Sequence, residues 1–375
     1  MNRLFHDKPF DEGTKLKLDI FRRYVREWIS VFMTEARSLD HVTKINIFDF
    51  FAGPGTDSVG NDGSPLIIVR ELKSYCETNH RVKSGKQINL YFNDNSRKKI
   101  SRLRTNLVGL ICEKGCCQIN FSTKTFSRAL KEFYPIISDT GNANLLLLDQ
   151  FGISDISPEV VRQLAECPQT DILFFIASSY LKRFQNHPAF KRKFNLSDKN
   201  LDYNTIHRFI CEYFKEKLSD INYCLAPFSI KKGRNIHGVI FGSHNLYGLE
   251  KFLRVCWDID PQTGEANYNI DKDPSRDGQR CLFEEMNSFR KNDLFESDLK
   301  EFIQKNKPNN LLMYEFCLER GFPPKESKKI LDNLQKTQWL NISPVRTGEK
   351  VRKGAYYLNH GERIPKILFN IIKGV

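Results

Sequence analysis

The stretch NIFDFFAGPGTDSVGNDGSPL, residues 46–66, decides the fold. Together with Ile45 it opens as a short apolar run, Ile45–Phe50, that reads as a buried strand. Gly53 and Gly55 follow, one residue apart. Glycine takes a left-handed turn without strain and leaves bare backbone for a ligand to lie against. At the far end Ser64 offers a hydroxyl suited to a helix N-cap, and Pro65 a ring suited to the first helical position. A doubly wound sheet sets strand, glycine turn and helix start in that order beyond the carboxyl end of its first strand, where ligands sit.

Outward from this stretch, strands and helices alternate. Further strands are expected at Ile88–Phe92, Cys117–Phe121, Asn144–Leu148, Ile172–Ala177, Tyr223–Pro227 and Gly238–Phe241. Helical periods fill Pro65–Glu77, Ser96–Leu110 and Ser127–Ile137. Such alternation predicts a parallel sheet covered on both faces. Ahead of it, residues 14–35 space Leu18, Phe21, Val25, Trp28 and Phe32 as a helix, with a basic face at Lys15, Lys17, Arg22, Arg23 and Arg26. Past residue 258 the text turns polar and aperiodic, then shows helical patterns at 294–305, 310–320 and 323–337 and a hairpin within WLNISPVRTGEKVRKGAYYLN. Three short helices and a hairpin suggest a winged helix-turn-helix. The expected division is a sheet domain with an N-terminal helical extension over 1–260, a linker or exposed insertion over 261–279, and a winged-helix domain over 280–375.

The 375 residues suffice for two such domains, and 27% charged residues is ordinary for a globular chain. The longest apolar runs, such as Leu145–Leu148, are too short to span a bilayer, and MNRLFHDKPFDEGTKLK lacks the apolar core of a signal peptide. A cytoplasmic protein is expected. Ten scattered cysteines agree with that compartment. The cluster Cys112, Cys116 and Cys117 has no histidine close in sequence, which favours plain thiols over a zinc site, so no metal is expected. A net charge of +13 points toward a polyanionic partner. The segment 280–375 contributes 18 Lys and Arg against 12 Asp and Glu.

The glycine turn admits two ligands, a dinucleotide or S-adenosylmethionine. A dinucleotide fingerprint joins its third glycine directly to a helix that holds the pyrophosphate. Here the turn continues through Thr56, Asp57, Gly60 and Asp62, whose acids repel a pyrophosphate and suit a ligand bearing an ammonium and a sulfonium. Asp49 fits the same cation. The second strand ends in Asn93-Asp94, a carboxylate placed to accept ribose hydroxyls. The third ends near Asn120, Phe121 and Ser122, suited to an adenine edge and face, and the fourth delivers Asp149. The candidate cofactor residues are therefore Asp49, Phe51, Ala52, Gly53, Pro54, Gly55, Ser64, Asn93, Asp94 and Ser122.

At these residues the sequence resembles the three-Cys-motif partner protein family of class I methyltransferase-like proteins. The likeness rests on TKLKLDIFRRYVREW, FDFFAGPG with the GSP helix start, YFND, LLLLDQFG, DILFFIASSYLKRF and HGVIFGSHNLYGLEKFLRVCW, together roughly residues 14–258. It implies a Rossmann-like seven-stranded class I methyltransferase sheet, α/β in class, with the attached winged helix-turn-helix. It also implies cofactor contacts at Asp49, Gly53, Gly55 and Asp94, and chemistry at Asp149. A radical-SAM-like three-Cys-motif protein is the partner it implies. Related proteins carry Asp-Pro-aromatic-Gly at the fourth strand, whereas this chain has Asp149-Gln150-Phe151-Gly152.

In-line methyl transfer needs an aligned nucleophile and a dry site. Asp149 and Gln150 could orient a nucleophile and Phe151 could stack on a planar acceptor, although Asp149 could equally be a helix cap and Phe151 core. Downstream, Lys182, Arg183, Lys191, Arg192 and Lys193 are interleaved with aromatics, a pattern that grips phosphates and stacks bases or forms a solvated helix face. A second candidate surface comprises Lys325, Lys328 and Lys329 on the third C-terminal helix with Arg346, Lys350, Arg352 and Lys353 in the wing, although winged helices also dock proteins. The expectation is a nucleic-acid methyltransferase, or alternatively a cofactor-binding partner protein with little activity of its own.

Overall fold

The computed structural model describes residues 8–33, 41–78, 86–110, 117–149, 157–177, 206–233, 235–271 and 291–372, and structural statements refer to these. Two compact units divide the chain, Met1–Lys251 and Phe252–Val375.

The first unit is built on a seven-stranded sheet. In chain order its elements are α1 (Glu12–Met33), β1 (Lys44–Asp49), α2 (Ser64–Thr78), β2 (Gln87–Asn93), α3 (Arg97–Leu107), β3 (Gln118–Ser122), α4 (Phe126–Ile137), β4 (Asn142–Leu148), α5 (Pro158–Ala165), β5 (Thr170–Ala177), α6 (Ile206–Lys217), β6 (Cys224–Lys232), β7 (Asn235–Ser243) and α7 (Leu246–Ile259), the last running across the boundary between units. The strand order is β3-β2-β1-β4-β5-β7-β6. Strands β1 to β5 pair in parallel, and β7 alone runs antiparallel to its neighbours β5 and β6. The reversal of order between β1 and β4 creates the crevice at which such sheets hold ligands.

Side chains alternate across each strand, so one parity faces each helical layer. Phe48, Phe50, Leu146, Leu148, Ile172, Phe174 and Ile176 pack on α4, α5 and α6 through Phe133, Leu164 and Phe214. The opposite parity meets α1 and α2. On α1 Leu18, Phe21, Val25 and Trp28 are buried, as their spacing predicts, with Ile29 buried beside them, while Phe32 is half-buried against Trp28 at 4.8 Å. Tyr24 of the same helix donates its hydroxyl to Asp171 Oδ2 on β5 at 2.7 Å. Burial pushes the Asp171 carboxyl up to about 6, against the stabilising hydroxyls of Ser243 and Tyr24. The basic face expected on α1 is locally neutralised: Lys15 pairs with Glu12, Arg22 and Arg23 with Asp19, and Arg26 with Glu71 of α2 at 2.8 Å. Lys17 is not on that face at all but buried.

Register is set by a row of asparagines. Asn46, Asn89 and Asn144 are each the third residue of their strand and are paired across β2, β1 and β4. Asn46 donates to Asn144 Oδ1 at 3.0 Å and accepts from Asn89 Nδ2 at 2.9 Å. Asn144 in turn donates to the Ile137 carbonyl at 2.9 Å. Strands of the parallel core otherwise read as nearly continuous apolar runs that specify register weakly.

In the second unit α8 (Lys291–Asn306), α9 (Asn310–Glu319) and α10 (Pro324–Lys336) precede β8 (Leu340–Pro344) and β9 (Ile367–Ile371). The hairpin expected within 339–359 is corrected: β8 pairs antiparallel with β9, Leu340 opposite Ile371, and Ala355–Leu358 is not a strand. Tyr356 is instead buried, its hydroxyl donating to Gln335 Oε1 at 3.1 Å. Tyr357 has φ +52, which a strand does not accommodate. A bridge between Asn309 and Leu368 adds the α8–α9 junction to this small sheet.

Replacing Asn46 by Ala leaves an Asn89 donor and an Asn144 acceptor buried and unpaired, at about 1–3 kcal/mol for each group. Urea unfolding of Asn46→Ala is expected to show a loss of about 2–6 kcal/mol; a loss below about 1 kcal/mol refutes the register role assigned to the row.

Candidate cofactor and substrate site

Asp49 closes β1, in register with Phe92 and Leu147, so its side chain emerges at the carboxyl edge of the sheet on the α1 and α2 side. The residue is 1% exposed. Its Oδ1 accepts from the Phe51 amide at 3.1 Å, and its buried Oδ2 has no hydrogen-bond partner. Burial drives the carboxyl up to about 7, partly offset by the Ser64 hydroxyl and the Phe51 amide; Asp149 pushes the same way as burial, and Lys17 opposes it. A second orphan, the buried Ser122 hydroxyl, lies at the end of β3.

The turn itself is held from inside. Gly53 has φ +63 and gives its amide to Asp94 Oδ2 at 3.2 Å. Asp94, at the end of β2, also accepts the Ser96 amide at 2.9 Å and the Lys99 ammonium at 3.2 Å. The Ala52 amide goes to the Asn93 carbonyl at 2.8 Å, and the Pro54 carbonyl accepts from Asn106 at 2.8 Å. The Asn93 side chain ties the Phe50 and Lys124 carbonyls together, at 3.1 and 3.0 Å. Phe51 stacks on Phe126 at 5.5 Å.

Gly55, with φ +85, is bare for a different reason from the one its spacing suggests. A Cβ there would lie 2.5 Å from Leu66 and 2.6 Å from Leu103. The chain's own leucines, not a ligand, fill that space. The helix start is also one residue off: the Ile67 amide bonds the Gly63 carbonyl at 3.1 Å, so Gly63 holds the cap position and the Ser64 hydroxyl is left beside Asp49.

The acidic loop is likewise turned inward. Asp57 is buried and accepts the Phe10 amide at 2.7 Å, the Asn61 amide at 2.8 Å and the Asn61 side chain at 2.7 Å. Burial opposes ionisation there, but the Phe10 amide, the Asn61 side chain and amide and the Val59 amide bring Asp57 down to about 2. Asp62 pairs with Arg70 at 2.5 Å. These acids organise the loop itself and do not discriminate between a pyrophosphate and a cationic ligand.

Asp149 stands just past β4 at the same edge. Its Oδ2 is paired with the buried Lys17 ammonium, which also sits 4.7 Å from the centre of the Phe175 ring on β5. Behind that ring His237 of β7 stacks at 5.2 Å, both its ring nitrogens buried without a hydrogen-bond partner. Burial, reinforced by Lys232 and Lys17, lowers His237 to about 4. Lys17, Lys99, Phe175 and His237 were not read from the sequence as site residues. Only Lys99, one helical turn inside α3 from Asp94, carried a local signal.

The edge therefore gathers Asp49, Ser64, Asp94, Ser122 and Asp149, while Ala52, Pro54, Gly55 and Asn93 serve the chain itself. Gln150, Phe151, Lys182, Arg183, Lys191, Arg192 and Lys193 lie outside the described residues. In the second unit Lys325 is exposed, Lys328 pairs with Asp332 at 2.8 Å and Lys329 with Glu326. Arg346, Lys350, Arg352 and Lys353 are all exposed between β8 and β9, Arg346 lying 3.9 Å from Glu349.

No protein-family model matches the sequence, and no curated protein matches it. Among solved structures, the chain is similar to a SAM-dependent methyltransferase from Agrobacterium tumefaciens, at 12% identity and TM-score 0.33, covering 61% of each chain. It is similar to Trm1 from Pyrococcus horikoshii in complex with S-adenosyl-L-methionine, at 12% identity and TM-score 0.38, covering 68% of this chain and 63% of that one. It is also similar to a putative O-methyltransferase from Klebsiella pneumoniae, at 11% identity and TM-score 0.32, covering 62% and 90%. The chain spans about three fifths of the length of the first two. At such scores the fold rests on the strand order and not on these likenesses.

Removing Lys17 strips a mostly buried carboxylate of its counter-charge. Lys17→Met is expected to cost about 1–3 kcal/mol in urea unfolding, and Asp149→Asn added to it to restore part of the loss. A double-mutant cycle giving additive effects refutes the coupling.

Proposed function

We propose that this protein binds S-adenosylmethionine at the carboxyl edge of its sheet and transfers the methyl group to nucleic acid. The observation that carries the reading is Asp49 Oδ2, a buried carboxylate oxygen at the carboxyl end of β1, beside the reversal of strand order, which no donor meets at hydrogen-bond distance although the nearby Ser64 hydroxyl stabilises the carboxylate. An unpaired buried acceptor is costly unless a donor or a cation comes to it. The cationic ligand that a Rossmann-like crevice with Asp94 and Ser122 at its second and third strands fits is S-adenosylmethionine. Asp49 would hold its positive end, Asp94 its ribose and Ser122 its adenine.

When bound, the cofactor supplies a methyl group already activated on a sulfonium. What the chain adds is alignment. Lys17 fixes Asp149 Oδ2, leaving Oδ1 as the oxygen with which Asp149 can orient a nucleophile. Phe175 and neutral His237 line the apolar flank of the same edge. The C-terminal unit fits a winged helix, with α10 as recognition helix and residues 345–366 as the wing. Its exposed basic residues support a role in positioning substrate.

A second reading is supported by the Lys17–Asp149 pair, which engages the carboxylate the chemistry would use. The protein would then be a cofactor-binding partner of a radical-SAM-like three-Cys-motif protein, with little transfer of its own.

Because Asp49 sits near 7, a bound cation favours its ionised form, so affinity rises with pH through 7 and levels off above it. Calorimetric titration with S-adenosylmethionine is expected to give binding up to roughly tenfold tighter at pH 8 than at pH 6, with the difference abolished in Asp49→Asn. Absence of binding at both pH values overturns the reading. With methyl-labelled cofactor, Asp149→Asn is expected to bind normally and to lose label transfer to DNA or RNA by a hundredfold or more, on the order of what a positioned group contributes. Cofactor binding by the wild-type chain without transfer to DNA, RNA or protein selects the second reading.

A further inference from the structure

We propose that α3, together with the edge strand β3, forms a second nucleic-acid surface on the sheet unit, one that takes the sugar–phosphate backbone beside the cofactor edge. It deepens the nucleic-acid reading above and rests on it.

Within eleven residues α3 carries Arg97, Lys98, Lys99, Arg102 and Arg104 and no acid. Only Lys99 has a carboxylate partner, Asp94. Arg97, Lys98 and Arg102 are exposed and form no ion pair among the described residues, and Arg104 lies over the Phe121 ring at 4.2 Å. The other basic helices are more fully compensated. On α1 every exposed cation from Lys15 to Arg26 meets a carboxylate, and on α10 Lys328 and Lys329 are taken by Asp332 and Glu326, which leaves the exposed Lys325 and Lys336 at opposite ends of a helix that also carries acids.

Helix stability does not explain the arrangement. Arg97, Lys98 and Lys99 occupy the first turn, at the positive end of the helix dipole, where acids are favoured and cations are not. Lys98 and Arg102 are like charges four residues apart on one face. A face that only needed solvation would mix signs. A run of uncompensated cations that works against its own helix fits a ligand that brings the negative charge.

Position favours the same ligand. Ser96 caps α3 two residues after Asp94, so the overloaded first turn opens at the edge that holds Asp49 and Asp149. β3 is the outermost strand among the described residues, and its half-buried Phe121 ring, 6.1 Å from Phe92, forms with the Arg104 guanidinium a cation–aromatic pair of the kind that single-stranded nucleic acid stacks upon.

The test is fluorescence anisotropy of the full chain with short labelled single-stranded DNA, duplex DNA and RNA across a KCl series. Arg97→Glu/Lys98→Glu/Arg102→Glu is compared with the wing variant Lys350→Glu/Arg352→Glu/Lys353→Glu. For the α3 variant the affinity is expected to fall roughly tenfold or more. Its log–log salt slope should shrink by about 2–3, at about 0.9 per lost contact on duplex and about 0.7 on a single strand. Its melting temperature should hold or rise, since acids replace cations at the helix start. Wild-type affinity and slope in the α3 variant, with binding lost in the wing variant, overturn this inference and leave the nucleic-acid reading standing. No binding of any probe by the wild-type chain overturns both.

Discussion

The row of Asn46, Asn89 and Asn144 is the constraint on which the rest of the sheet depends. Apolar strands in the middle of a parallel sheet can slide, because one isoleucine pairs about as well as the next. Three amides that must each find a partner in the adjacent strand cannot. Their hydrogen bonds at 2.9 and 3.0 Å place Asp49 level with Phe92 and Leu147, so that Asp49, Asp94 and Asp149 emerge at one edge. A slip by one residue would turn Asp49 to the opposite face, into the packed layer of Phe133 and Leu130.

Once there, the carboxylates need counter-charge, and the helix that precedes the sheet provides it. Lys17 reaches Asp149 from α1 and lowers the pKa that burial raises at Asp49. The helix is itself anchored at the other end of β5 by Tyr24 on Asp171. One amphipathic helix thus fulfils two tasks: it covers an apolar layer and it carries a buried ammonium to the site. Among the described residues, Asp49 Oδ2, the Ser122 hydroxyl and the His237 ring nitrogens are the buried polar atoms left unserved at that edge, which marks it as a candidate site and not merely the end of a sheet.

Much of this was legible from the sequence, for identifiable reasons. The seven strands follow from short β-branched and aromatic runs, and Asp49, Asp94 and Asp149 from their place at strand ends. The antiparallel β7 was not legible, since Asn235–Ser243 looks like any other strand and direction is not written in composition. Lys17 was misread as solvent-facing because its position on α1 borders the apolar stripe and its partner lies 132 residues away. Gly55 and Asp57 were read as facing a ligand because glycine and acid patterns do not say which neighbour they serve; here Leu66, Leu103 and the Phe10 amide are those neighbours. The hairpin error came from Tyr356 and Tyr357, whose β-propensity yielded to burial and a positive φ.

The packing at Gly55 has a thermodynamic corollary. Leu103 of α3 presses on the turn where a side chain would have to stand, and Lys99 of the same helix holds the carboxylate that holds the Gly53 amide. A displacement of the helix would therefore be felt at the turn. Occupants of the two places would then share one coupling free energy, equal in both directions. A ligand along α3 would tune the grip on a small molecule at the turn, and that small molecule would tune the grip of α3 by the same factor.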